Sequence, residues 1–182
     1  MKKIVALLLA MVITAGLWAG GTAAYASIYT VTTPNITVDF DGGSEPKVVT
    51  RDASGTNWEP GYTSMKNIRI TGDVNYTWNL KVETNSTDNN LAEAIDVYWA
   101  YTADIQGMTR SAALGSMTYI GTLEDLLNSN LPMLNGTGNA NEVQNITVAL
   151  KMRESAGNDY QGKTAQFSFT VTVSADAPGS NP

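Results

Sequence analysis

The sequence predicts an all-β sandwich with one short helix. The grounds are period-two alternation in successive segments, polar turn clusters between them, and a single stretch with helical signals. Ile36, Val38 and Phe40 form the first alternating set, followed by Ile68 and Ile70. Next, Tyr76, Trp78, Leu80 and Val82 alternate with Thr77, Asn79, Lys81 and Glu83, and Ile95, Val97, Trp99 and Tyr101 repeat the pattern. Alternate side chains of a strand point to opposite faces, so each segment is expected to bury one face and wet the other. On that phase Trp78, Trp99 and Tyr101 belong to the core and Tyr98 to the surface. Clusters rich in Gly, Asn, Ser and Asp separate the strands: Asp41-Gly-Gly-Ser44, Ser54-Gly-Thr-Asn57, Thr84-Asn-Ser-Thr-Asp-Asn-Asn90 and Asn135-Gly-Thr-Gly-Asn-Ala-Asn141.

The clearest alternation lies in residues 142–175. Ile146, Val148, Leu150 and Met152 form one apolar set; Ala165, Phe167, Phe169, Val171 and Val173 form the other. Between them, Gly157-Asn158-Asp159 and Gly162 tolerate the curvature of a connection, which predicts that the two arms pair as a long antiparallel hairpin. The helical candidate is Leu123-Glu-Asp-Leu-Leu-Asn128, capped by Thr122, with Asp125 placed to meet free backbone N–H groups. Its length suits a lid over one end of the sandwich.

Ahead of the strands, Lys2 and Lys3 precede an apolar run over residues 4–13 that continues, diluted, to Ala19. The run is short and Ala24-Tyr25-Ala26 supplies an A-x-A site, so residues 1–26 read as a secretory signal peptide, with Ala24, Ala26 and Ser27 defining the cleavage point. An uncleaved anchor is the rival reading. Cleavage after Ala26 would leave 156 of the 182 residues, enough for one domain with a sizeable core. It would also move the charge balance from 11 basic against 17 acidic residues to 9 against 17. An acidic chain without a Lys/Arg cluster speaks against nucleic acid or anionic lipid as a partner. The expected organisation is a leader over 1–26, an extended segment over 27–34, a β domain over 35–175 and a polar tail over 176–182.

Three motifs carry a family resemblance. Ala149-Leu-Lys-Met-Arg-Glu-Ser-Ala-Gly-Asn-Asp-Tyr-Gln-Gly162 followed by Phe-x-Phe-x-Val-x-Val resembles the C-terminal signature of the TasA/camelysin family of secreted bacterial proteins. Trp58-Glu-Pro-Gly61, followed by Met65-Lys-Asn-Ile-Arg-Ile-Thr71, is similar to that family's Trp-x-Pro-Gly turn. Gly21-Thr-Ala-Ala-Tyr-Ala-Ser27 is similar to its cleavage region. Tyr25-Ala26 and Ser174-Ala175-Asp176 depart from the family pattern, leaving open a SipW-type or a general signal peptidase, and cleavage after Ala24 instead of Ala26. The resemblance implies a jelly-roll version of the sandwich and a secreted subunit of a biofilm matrix or cell-surface fibre.

The camelysin name also carries a metallopeptidase assignment, which the residues do not favour. The chain has no His and no Cys, so the usual zinc ligands, triad bases and thiol nucleophiles are missing. The expectation is no enzyme, no cofactor and no metal site. Asp39-Phe-Asp-Gly-Gly-Ser-Glu45 is the best calcium-loop candidate, although a solvated acidic turn accounts for it as well. Asn-x-Thr at Asn35, Asn75, Asn85, Asn135 and Asn145 follows from a composition rich in Asn and Thr.

The sharper functional candidate is residues 27–34. Ile28, Tyr29, Thr30, Val31, Thr32 and Thr33 have high β propensity and no charge, and Pro34 ends the run. Such a segment can complete the sheet of a second copy, and a head-to-tail contact of that kind builds a fibre. An edge strand on its own domain is the alternative. The expected partners are therefore further copies of the chain and a signal peptidase, with no nucleic acid, and no membrane after processing. A monomeric surface binding module using Tyr98 and the long loops is the second reading, and a metal-dependent peptidase the third.

Overall fold

A computed structural model describes residues 23–28, 36–40, 58–84, 89–160 and 163–175. Among them, nine strands form two sheets, antiparallel apart from one parallel pair, with a few short helices. The strands are β1 (Ala23–Ile28), β2 (Ile36–Phe40), β3 (Thr63–Gly72), β4 (Tyr76–Glu83), β5 (Ile95–Tyr101), β6 (Thr118–Thr122), β7 (Leu134–Gly138), β8 (Val143–Met152) and β9 (Thr164–Ala175). One sheet has the order β1-β9-β4-β7 and the other β2-β3-β8-β5-β6. The all-β expectation holds. Its hairpin does not, because β8 and β9 lie in opposite sheets: β8 pairs with β3 and β5, and β9 with β4 and β1.

Up to its last residue β8 is held to its own sheet. As the chain leaves β8, Arg153 N–H donates to the Ala94 carbonyl and Arg153 Nε to Asp96 Oδ1 at 2.9 Å, which ties the exit to the start of β5. That hydrogen bond raises the Arg153 pKa above its already high ordinary value. At the same end, Tyr62 N–H donates to Glu59 O at 2.8 Å across Pro60-Gly61, with Gly61 at φ +83°. This is the geometry of a type II turn, whose third residue favours glycine. Gly61 N–H and the Tyr62 carbonyl then bond Met152, closing the β3–β8 ladder.

The main core lies between the sheets. Ile36, Val38, Ile68, Ile70, Ile146 and Val148 face Tyr76, Trp78, Leu80, Phe167, Phe169 and Val171. Three α-helices, not one, decorate this frame: α1 (Thr102–Ile105), α2 (Arg110–Ser116) and α3 (Leu123–Asn128). For α3 the sequence reading stands. Thr122 Oγ1 accepts from Asp125 N–H at 3.0 Å while Asp125 Oδ2 accepts from Thr122 Oγ1 and N–H, a reciprocal capping box. Those bonds hold the Asp125 carboxyl below its usual range. The helix buries Leu123 and packs on β4 of one sheet and β5 and β6 of the other.

Helices α1 and α2 were hidden by their brevity, and they cover the outer face of the sheet beneath. Ile105, Ala113 and Met117 join Met65, Ala100 and Ala149 in a second small core on the outer face, with Tyr98 and Leu114 packed beside it. Here Thr102 and Thr147 share a 3.0 Å hydroxyl hydrogen bond, and Thr147 Oγ1 donates to Asn67 Oδ1 at 2.8 Å. Because both faces of the sheet are covered, β8 is buried continuously from Ile146 to Leu150. In β5 the pairing with β8 is regular and Trp99 keeps to the main core's face, but the second core half-buries Tyr98 instead of leaving it exposed, Trp99 is only half-buried, and Tyr101 is 45% exposed instead of core.

The cluster read as a turn over 135–141 is strand up to Gly138. In β7, Gly136 lies opposite Trp78 and Gly138 opposite Tyr76, and each glycine leaves room for the aromatic ring that covers it. A Cβ on Gly136 would come within 2.7 Å of the Trp78 ring.

Candidate functional site

β9 is the longest strand of the fold and reads Thr-Ala-Gln-Phe-Ser-Phe-Thr-Val-Thr-Val-Ser-Ala, without a charge, a proline or a glycine. Ala165, Phe167, Phe169, Val171 and Val173 are buried in the sandwich, and the Phe167 and Phe169 rings meet edge to face with centroids 5.6 Å apart. Exposed sheet edges are ordinarily blunted by brevity, charge, proline or a bulge. β2, β6 and β7, at the other edges, have five residues each. β9 has none of these protections, and its composition is that of an interior strand.

Its two neighbours divide its length. β4 pairs antiparallel with Ser168 to Ala175, leaving Thr164 to Phe167 without a β4 partner. That stretch is paired by β1, which runs parallel in the register Ala23↔Thr164, Ala24↔Ala165, Tyr25↔Gln166, Ala26↔Phe167, Ser27↔Ser168 and Ile28↔Phe169. The residues expected at a cleavage point, Ala24, Ala26 and Ser27, therefore all lie in one strand of the sheet, which the sequence reading did not anticipate. Ile28, the first donor-strand candidate, ends that strand. Tyr29, Thr30, Val31, Thr32 and Thr33 lie outside the described residues, as do the apolar leader core and the tail over 176–182. Small residues suggested a cleavage point, but nothing local to Ala-Ala-Tyr-Ala-Ser-Ile marks a partner at the far end of the chain.

The remaining candidates do not converge on a second site. Asp39 sits in β2 opposite Arg69, and residues 41–45 of the calcium-loop candidate lie outside the described residues. Among the described residues, no three of His, Cys, Asp and Glu are grouped to hold a metal ion. The aromatic residues are dispersed. Trp58 is buried against Tyr62, Trp78 is buried over Gly136, and Trp99 and Tyr101 meet at 5.4 Å on one face of β5. Tyr98 and Tyr119 meet at 5.4 Å on the other face. No flat stacking platform gathers them.

Three phenols are tuned by the fold. Burial, then Glu142, pushes the Tyr76 hydroxyl above its ordinary value; burial, then Asp96, does so for Tyr98; and burial, then Glu93, for Tyr160. A phenol is neutral when protonated. A raised folded-state pKa therefore stabilises the fold fully below the unfolded value of about 10, and the contribution is lost as pH rises through the folded values. Chemical unfolding at stepped pH should show stability falling above pH ~10, with a shallower fall in Tyr76→Phe. At neutral pH the same variant should be about 1 kcal/mol less stable, since Tyr76 Oη donates to the Ile70 carbonyl at 3.2 Å. Identical alkaline slopes would remove Tyr76 from the account.

Compared with models of known protein families and with curated proteins, the chain finds no match.

Proposed function

We propose that the protein is a secreted, non-enzymatic subunit of a bacterial extracellular fibre, in a matrix or at the cell surface. In this reading its sandwich is completed along β9 by an extended N-terminal segment of the next copy. One observation carries the proposal: β9 is built as an interior strand, yet one of its two neighbours is a short strand drawn from the leader junction. The resemblance to TasA/camelysin proteins points the same way. Strand order gives further support for a jelly-roll-like form. β9-β4-β7 in one sheet and β3-β8-β5-β6 in the other interleave along the chain, as successive strands of a double Greek key do. In that arrangement β1 is the odd member, because it runs parallel to β9 where all other pairs are antiparallel.

A head-to-tail contact through a strand edge does not close on itself and so propagates. Main-chain hydrogen bonds along the edge give such a contact its strength, and alternate side chains entering the sandwich give it specificity. The partners are then further copies of the chain, with a signal peptidase acting beforehand and no catalytic residue required.

Electron microscopy of the secreted, processed protein tests this directly. The intact processed chain should form fibres. A version lacking residues 27–33 should stay as single particles with unchanged circular dichroism. Val31→Asp should behave like the truncation, because a carboxylate would have to enter an apolar groove at a cost of several kcal/mol. Single particles in all three samples, or normal fibres from Val31→Asp, would end the proposal.

A further inference from the structure

We infer that residues 23–26 are an internal plug: before processing they fill, in the same chain, the strand position on β9 that a second copy fills afterwards, so leader removal itself triggers assembly. This rests on the fibre reading above. Hydrolysis of the Ala26–Ser27 peptide bond, with water supplying the new Ala26 carboxylate and Ser27 amine, removes four of the six β1–β9 register pairs. Ser27↔Ser168 and Ile28↔Phe169 are left, a strand too short to hold by itself.

The loss falls where β9 has no substitute. Thr164, Ala165, Gln166 and Phe167 pair with β1 and not with β4, so cutting strips their ladder partner. Ala165 and Phe167 are core side chains, 0% and 3% exposed, so the departure of the plug opens the backbone edge directly beside the core. Buried peptide groups without partners are costly, and an uncharged edge with open N–H and C=O groups is a template for another chain. The register also states what fits. Ala24, Ala26 and Ile28 stand opposite Ala165, Phe167 and Phe169, so an incoming strand must bring small or apolar residues at alternate positions. An uncharged alternating segment of a second copy, residues 27–33, meets that requirement.

The test uses the full chain, purified with its leader in mild detergent, before and after addition of signal peptidase. The uncut chain should stay monomeric, and fibres should appear with the time course of cleavage. Because the chain has no cysteine, Ser27→Cys with Ser168→Cys offers a single disulfide. Oxidation of the uncut double variant should give an intrachain link at monomer mass. After cleavage the oxidised form should fail to assemble until reduced. A full chain carrying Tyr25→Pro, which sets a rigid ring without an N–H in the middle of the plug strand, should assemble without being cut. If Tyr25→Pro remains monomeric until cleavage, or no intrachain disulfide forms, the leader blocks assembly by bulk and the plug is refuted while the fibre reading stands. Uncut wild-type chain assembling as fast as cut chain refutes it likewise. Cut chain that never assembles removes the fibre reading and the inference with it.

Discussion

Trp78→Ala is expected to lower the unfolding free energy by ~3–5 kcal/mol, and Thr77→Ala, one residue away, by no more than about 0.5 kcal/mol. The contrast follows from the pleat. Trp78 is 4% exposed on the inner face of β4, between Val173 of β9 and Gly136 of β7, whereas Thr77 points to solvent. Removing the indole leaves a cavity that cannot collapse, because Gly136 opposite has no side chain to move into it. Phe167→Ala and Phe169→Ala should fall in the same range, since both rings are buried and packed on each other. A disulfide-free domain has about 5–15 kcal/mol in total, so any of the three removes a large share. Urea unfolding followed by circular dichroism measures all four; equal losses at Thr77 and Trp78 would mean that the register of β4 is wrong. Trp78→Phe should be far milder than its area suggests. The indole Nε1 is buried without a hydrogen-bond partner among the described residues, and deleting an unsatisfied donor recovers part of the packing loss.

How far the fold was legible depended on how many faces of each strand are covered. β4 and the inner residues of β9 alternate cleanly, and the core residues read from them are buried. In β5 and β8 the reading slipped because α1 and α2 lay a second core on the outer face of their sheet. Tyr98-Trp99-Ala100-Tyr101 is then apolar at every position and carries no phase. The 142–175 hairpin failed for a related reason: alternation reports that a strand is amphipathic, not which strand it joins. Arg153, tied to Ala94 and Asp96, still belongs to the sheet of β5, and β9 finds its partners in the other one. At the candidate site, the small residues 23–27 were read as the end of a leader. Their place on β9 was not legible, because pairing between the two ends of a chain leaves no trace in either segment alone. The absence of charge in β9 was the available signal, since a strand with no edge protection needs two neighbours.

Gly138→Ala should cost roughly 2–4 kcal/mol although it adds a single methyl group, and most of that cost should vanish when Tyr76 is shortened. Gly138 lies directly opposite Tyr76 in the β4–β7 ladder, and a Cβ there would overlap Cζ and the hydroxyl of the ring. The ring cannot retreat. It is fully buried, its hydroxyl donates to the Ile70 carbonyl at 3.2 Å with the Glu142 carbonyl at 3.5 Å, and Gly72 lies so near that a Cβ there would come within 2.7 Å of the ring. Moving it sacrifices a buried hydrogen bond as well as packing, while leaving it in place forces β7 off the sheet. In a Tyr76→Leu background the methyl group has space, so a double-mutant cycle should return a coupling of about 2 kcal/mol or more. Additive losses would mean that Gly138 is needed for its backbone conformation alone. The stretch from residue 135 to 141 would then be the turn that its Gly and Asn content suggests, and not a strand shaped by the aromatic rings across from it.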